Sequence, residues 1–162
     1  MNHTLTSERL QGVLKYFPDT GVFIRLMSGG GRKAGSVAGT GDVSGYRKIR
    51  VDGKNYWAHR LAWLYFHGAW PEDEIDFING DFADNRIANL RSASRAINMQ
   101  NLRGPKCTNK TGYLGVDFYR YGYRAQIKVD GKAFWLGRFS TPELAYDAYI
   151  EAKHRLHPGC TI

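Results

Sequence analysis

The stretch Glu74–Leu102, "EIDFINGDFADNRIANLRSASRAINMQNL", decides the fold of the middle of the chain. "EIDFI" reads as a short strand and "NGDFADN", a cluster of turn formers, as a loop. "RIANLR" reads as a second strand or turn, and "SASRAINMQNL" as a helix capped by Ser92 or Ser94. Strand, loop, strand and helix in that order make a compact ββα unit. Asp76 stands on its first strand and Asn98 on its helix, and both offer the oxygen ligands that a hard cation such as Mg²⁺ takes. An ion held there could stabilise charge developing on a phosphate under attack. Asp and Asn are also common loop formers, so spacing alone leaves a purely structural acidic loop just as open.

The charge around this stretch is uneven. Lys and Arg number ten against four Asp and Glu over residues 1–70, three against six over 71–100, and ten against five over 101–162. The net charge of +8 points to a polyanionic partner, and an acidic centre between basic flanks fits a metal site bordered by phosphate contacts. Solvated basic faces around an acidic loop would give the same totals. Two cysteines, Cys107 and Cys160, are too few for a structural zinc cluster or a disulfide scaffold. No apolar run has the length of a membrane span, and "MNHTLTSERLQG" lacks the apolar centre of a signal peptide, so a soluble cytoplasmic protein is expected.

An internal echo flanks the acidic centre. "GYRKIRVDGKNYW" (Gly45–Trp57) returns as "GYRAQIKVDGKAFW" (Gly122–Trp135), with one insertion. Each alternates basic and apolar residues about an Asp-Gly pair, which predicts a β-hairpin closed by a type I′ turn. Upstream, "LQGVLKYFPDTGVFIRL" predicts a short helix and then a strand after the Pro18–Gly21 turn. Met27–Gly45 reads as a flexible glycine-rich linker, with Arg32 and Lys33 as weaker phosphate-contact candidates. "YWAHRLAWLYFHG" predicts a helix ended by Gly68, with His59 and His67 as packed or capping residues near its ends. After the polar, basic segment 103–112 come three strands, within Tyr113–Tyr119, Tyr123–Val129 and Lys132–Phe139. A closing helix follows, capped by Ser140 or Thr141, with a Ser140–Glu143 capping box and Pro142 in its first turn. Leu144, Ala145, Ala148, Ala152 and Leu156 form its apolar stripe, and Phe134, Phe139 and Tyr146 are expected in the core.

His59–Leu102 resembles HNH endonucleases of the phage and group I intron homing type. In that family an Asp-His pair is followed, one loop later, by an asparagine in an "N-R-x-x-N-L" segment and then by an Asn or His on the next helix. The resemblance makes Asp76 and Asn98 the metal ligands and Asn89 the structural asparagine that braces the loop, with Asn85, Arg86 and Leu90 completing the match. The family's histidine, general base toward the attacking water, falls at Phe77. A phenyl ring accepts no proton, and general acid–base help is typically worth roughly 10²–10⁴-fold in rate.

Gly112–Leu156 resembles the DNA-binding domain of plant ethylene-response factors, through "Y-x-G-V", "A-Q-I", "F-W-L-G-x-F" and "T-P-E-x-A-x-x-A-Y". There a three-stranded sheet lays alternate side chains into the major groove. Position by position this implies DNA contacts from Tyr119, Gln126, Lys128 and Trp135, with Arg120, Arg124 and Arg138 beside them. Asp117 stands where the plant domains usually carry Arg. Arg103, Lys106 and Lys110 are expected to track the phosphate backbone.

The expected fold class is α+β: an N-terminal β-hairpin and helix lead-in, a central ββα-metal module, and a C-terminal three-stranded antiparallel sheet packed on one helix. The expected domains are a nuclease domain over 1–102 with its ββα core at about 74–101, a basic linker at 103–112, and a DNA-binding domain at 113–162. The resemblances imply a phage-type homing endonuclease that cleaves or nicks double-stranded DNA with Mg²⁺ or Mn²⁺, in a bacterial or phage-infected cell, inactive or impaired through Phe77. No membrane and no obligate protein partner is expected. Two other readings stay open: a non-catalytic, sequence-specific DNA-binding protein derived from such an enzyme, and an interaction protein that uses its basic surfaces.

Overall fold

The computed structural model of the chain describes residues 5–162. The chain is mixed α+β and separates into two compact units, one ending at Ala93 and the other spanning Ser94–Ile162. Among the described residues no helix is long and apolar enough to cross a membrane.

The first unit opens with α1 (Ser7–Val13), capped by the Thr6 side chain. A hairpin of β1 (Leu14–Phe17) and β2 (Val22–Arg25) follows directly, so the chain is already extended before the Pro18–Gly21 turn rather than only after it. β3 (Thr40–Gly41) then pairs with β4 (Arg47–Val51), and β4 with β5 (Lys54–Trp57). The β4–β5 turn has positive φ at both Asp52 (46°) and Gly53 (81°), as a type I′ turn requires. α2 (Ala58–His67) ends at Gly68 in the left-handed conformation. Its apolar face, Ala58, Leu61, Ala62 and Leu64, packs into a core with Leu10, Leu14, Phe23 and Ile49. β6 (Glu74–Phe77) and β7 (Leu90–Ala93) close the unit as a second antiparallel pair, separated by a loop and a 3₁₀ turn at Ile87–Asn89.

The glycine-rich segment after β2 is not a free tether. Backbone bonds from Arg25 to Ser36 and from Ala38 to Phe23 lay it along β2, and Ala38 is buried.

The second unit starts with α3 (Arg95–Gln100), capped by Ser94 rather than Ser92. At the end of residues 103–112, read as a linker, Asn109 ties the chain to the start of the sheet. Its Nδ2 donates to the carbonyls of Tyr113 and Val116, and its Oδ1 accepts from the backbone of Thr111 and Gly112. The sheet has β9 (Gly122–Val129) at its centre, paired antiparallel with β8 (Val116–Tyr119) and β10 (Lys132–Phe139). Asp130 (49°) and Gly131 (80°) give the second Asp-Gly hairpin the same left-handed turn as the first.

α4 (Pro142–Leu156) covers the inner face with Ala145, Tyr149 and Ala152 against Val116, Ala125 and Ile127. Thr141, not Ser140, is its N-cap, which shifts the predicted capping box out of register. Leu144 is exposed and Tyr149 takes its place in the buried stripe, because α4 meets the sheet along a line one residue further round. Phe134 is exposed as well, unlike Phe139 and Tyr146, which pack against this core.

Candidate functional site

Residues 76 and 77 sit side by side at the end of β6, so the period of the strand sends their side chains to opposite faces. Asp76 is buried, and its register partner across the pair is Arg91 on β7. Arg91 donates to Asp76 Oδ2 through Nε at 2.8 Å and reaches the same oxygen through Nη2 at 2.7 Å. A carboxylate in this position is an oxygen donor whose charge the protein has already met with a guanidinium. Among the described residues no group of three or more His, Cys, Asp or Glu is arranged to hold a metal ion. Mg²⁺ commonly takes one or two protein carboxylates and completes its shell with phosphate and water, and a single carboxylate such as Asp76 has the donor chemistry for that.

Phe77 is 2% exposed. Its ring meets Tyr46 (5.8 Å between centroids), His59 (5.1 Å) and Phe82 (5.6 Å), each edge to face. Phe82, carried on the loop after β6, also stacks flat on Tyr46 at 4.5 Å. The position where the family resemblance puts a proton acceptor is thus the middle of an aromatic cluster.

Two titratable groups line it. Burial, with the charges of Asp76 and Glu74 adding to it, raises the Tyr46 pKa, so its hydroxyl stays protonated at neutral pH. Burial, helped by the neighbouring Arg60 charge, lowers the His59 pKa to about 4, so its ring is neutral, and its buried Nδ1 has no hydrogen-bond partner. Distance along the chain had set His59 apart from residue 77, and the fold brings the two rings together. His67, by contrast, lies tilted against Trp63, with 4.1 Å between ring centroids.

The loop between β6 and β7 is pinned by polar side chains. Asn89 Oδ1 accepts from the backbone N–H of Asn79 at 2.9 Å, and its Nδ2 donates to the Asp84 carbonyl at 2.9 Å. Asn79 Nδ2 donates to Asp84 Oδ2, and Arg86 forks onto the same carboxylate, which holds the Asp84 pKa below its ordinary value. Tyr16 donates its hydroxyl to the Asn85 carbonyl at 2.7 Å. Gly21, at φ 70°, lies so close to this loop that a Cβ there would stand 2.6 Å from the Arg86 nitrogen. Asp76, Phe77 and Asn89 thus share one unit. Asn98, half-buried on α3, belongs to the second.

On the second unit, register places most of the sequence-derived contact residues on the outer face of the sheet. Asp117 pairs with Arg124, Tyr119 with Gly122, Trp135 with Gln126 and Arg138 with Arg124. Three positions separate Trp135 from Arg138, which in a regular strand would put them on opposite faces. A bulge between Trp135 and Gly137 inserts one residue and returns both to the outer face. Trp135 is 55% exposed and meets Tyr119 edge to face at 5.4 Å. Lys128 is exposed.

Arg120 lies in the β8–β9 turn at φ 52°, its guanidinium 5.4 Å from the Tyr119 ring centroid. Arg103 donates to the Thr161 carbonyl at 2.9 Å, so it has a structural task in the loop, whereas Lys106 and Lys110 are exposed. Sequence reasoning noted Asp117 only as a departure from the plant domains, and it missed Arg91 and Phe82 as neighbours of residues 76 and 77 and Asp117 as a partner of Arg124 and Gln126. The β6–β7 register would have identified Arg91, and the alternation of β8 would have put Asp117 beside Tyr119.

No curated protein matches the chain. A solved structure described as DNA binding and cleavage by the HNH homing endonuclease I-HmuI is similar over 84% of this chain and 76% of that one, at 20% identity and a TM-score of 0.45. Residues 56–100, the stretch that contains Asp76, Phe77, Asn89 and Asn98, match the family model described as HNH endonuclease.

Proposed function

We propose that this chain is a homing-endonuclease-type protein that binds double-stranded DNA through its C-terminal sheet and cleaves or nicks it very slowly or not at all. The observation that carries the proposal is Phe77: the base position of an HNH-like segment is filled by a phenyl ring 2% exposed among Tyr46, His59 and Phe82. The cofactor of the intact site would be Mg²⁺ or Mn²⁺, held by Asp76 and, by family resemblance, Asn98, and when bound it would supply charge stabilisation at the scissile phosphate. The domain division follows the same reading, with the nuclease-like part at 1–102 and the DNA reader at 113–162. The solvent-facing array of Tyr119, Gln126, Lys128, Trp135 and Arg138 supports duplex recognition, because alternate residues of a strand point to one side.

Duplex binding in EDTA, measured at several salt concentrations, tests the recognition half of the proposal. The expected result is affinity that falls linearly as log K against log salt, and binding without that slope would leave only the interaction-protein reading. A second reading, residual cleavage with His59 as proton acceptor, is favoured by its unpartnered Nδ1 beside position 77. Under it, His59→Gln abolishes whatever nicking the wild-type chain shows, while duplex binding is kept.

A further inference from the structure

Among the strand residues on the outer face of the β8–β10 sheet there is one carboxylate, Asp117. It lies directly opposite Arg124 in the β8–β9 register. Its Oδ2 accepts from Gln126 Nε2 at 3.0 Å and from Arg124 Nη2 at 3.3 Å. The Arg124 guanidinium also stands 5.8 Å from the Tyr119 ring centroid, and Tyr119 meets Trp135. Asp117 is therefore the fixed point of a connected network that takes in four of the side chains facing outward for recognition, Gln126, Arg124, Tyr119 and Trp135.

Stability does not account for it. The Arg124–Asp117 pair is half-exposed, with side chains 34% and 44% accessible, and exposed pairs contribute little. For phosphate binding the carboxylate is a handicap, since it repels the backbone and draws Arg124 away from it. For reading bases it is useful. Gln suits adenine, Arg suits guanine, and a carboxylate accepts from an exocyclic amino group such as that of cytosine. A carboxylate that holds Gln126 and Arg124 together limits the orientations in which they can meet a base edge.

We infer that Asp117 is a specificity-determining residue of this face. It orients Gln126 and Arg124 toward base edges and offers its own oxygens to an exocyclic amino group of the duplex. Affinity for indiscriminate phosphate contact is given up in exchange. The inference rests on the reading of the sheet as a DNA-binding surface.

The experiment uses the full chain in EDTA and a pool of randomised duplexes. Wild type and Asp117→Ala are each carried through selection, and affinities are then measured for the wild-type-selected duplex and a scrambled one. Wild type is expected to recover a preferred sequence. Asp117→Ala is expected to recover one relaxed or changed at one or two base pairs, to bind the scrambled duplex more tightly, and to lower the preference ratio roughly tenfold. Lys128→Ala serves as the contrast, weakening both duplexes alike as a phosphate contact does. Asp117→Asn, which keeps the side chain's size, replaces Asp117→Ala if the latter does not fold.

An unchanged preferred sequence and ratio in the variant overturns the role of Asp117 alone. Wild-type binding without any preference also overturns it while leaving the DNA-binding reading in place. Absence of salt-dependent duplex binding by wild type overturns both.

Discussion

In the proposed function Phe77 is the residue that decides the chemistry, and its neighbours make separate predictions. Burial lowers the His59 pKa from its ordinary 6.5 in the unfolded chain to about 4 in the fold. Above pH 6.5 the ring is neutral in both states and its contribution is complete. As pH falls from 6.5 to 4 the unfolded chain takes up a proton that the folded chain refuses, and up to about 3 kcal/mol of stability is lost. Denaturant melts of wild type and His59→Phe across that window should differ in slope, with wild type the steeper; parallel curves would place the ring in contact with water. Asp76 gives a second test. Arg91→Ala should lower the unfolding free energy by roughly 1–3 kcal/mol, the cost of taking a charged partner from a buried acceptor. If Asp76 is a metal ligand, Mg²⁺ should also raise the melting temperature of Arg91→Ala more than that of wild type, because the cation takes over the work of the guanidinium. Equal shifts would remove Asp76 from the metal-ligand set. The sequence carried Asp76 and Phe77 plainly enough, since both stand next to each other in a segment of recognisable spacing. It did not carry Arg91 or His59, because their proximity depends on strand register and on helix packing across many residues.

Elements follow the sequence where local chemistry is decisive. Both Asp-Gly hairpins form as expected, since Asp-Gly is one of the few pairs that readily supply positive φ at two consecutive positions. The β10 bulge was not legible, because the extra residue, Leu136, is an ordinary apolar side chain, and only its pairing with β9 reveals the shift. The loop between β6 and β7 shows how side-chain amides replace missing backbone bonds. Asn89→Ala removes an acceptor from the Asn79 N–H and a donor from the Asp84 carbonyl. The expected cost is about 2–3 kcal/mol for two part-buried bonds, with faster amide exchange at Asn79, and protection left unchanged there would show that the loop is held by other means. In the second unit, Gly115 sits at φ 75° with its missing Cβ 2.1 Å from the Tyr149 ring. Gly115→Ala is therefore expected to expel Tyr149 from its place on α4 and unfold the packing of that helix on the sheet.

At the scale of the molecule, two hydrophobic cores lie in two units. Every residue of the first core precedes Ala93, and every buried residue of the second lies between Val116 and Ala152. Two unfolding transitions are expected, and Gly115→Ala should lower one and spare the other; a single transition moved as a whole would mean that the cores melt together. Charge is distributed to match. Arg25, Arg32, Lys33, Lys48 and Arg50 line one open cleft of the first unit, where burial, with the Arg32 charge adding to it, lowers the Arg25 pKa, and Lys48 is paired with Asp42 at 2.6 Å. Net charge and its uneven distribution were legible from composition, but the convergence of these five side chains on one cleft was not, because it depends on β2 and β4 and the segment between them folding over one another.

The proposed function is that of a DNA-binding protein in which Phe77 leaves the base position of the HNH-like segment without a proton acceptor. The direct test is nicking of supercoiled phage DNA by wild type and Phe77→His side by side, with Mg²⁺ or Mn²⁺, at equal duplex occupancy. The expected result is cleavage by Phe77→His at a rate roughly 10²–10⁴-fold above wild type, with little or no product from wild type. Wild-type cleavage as fast as that of the variant would contradict the account.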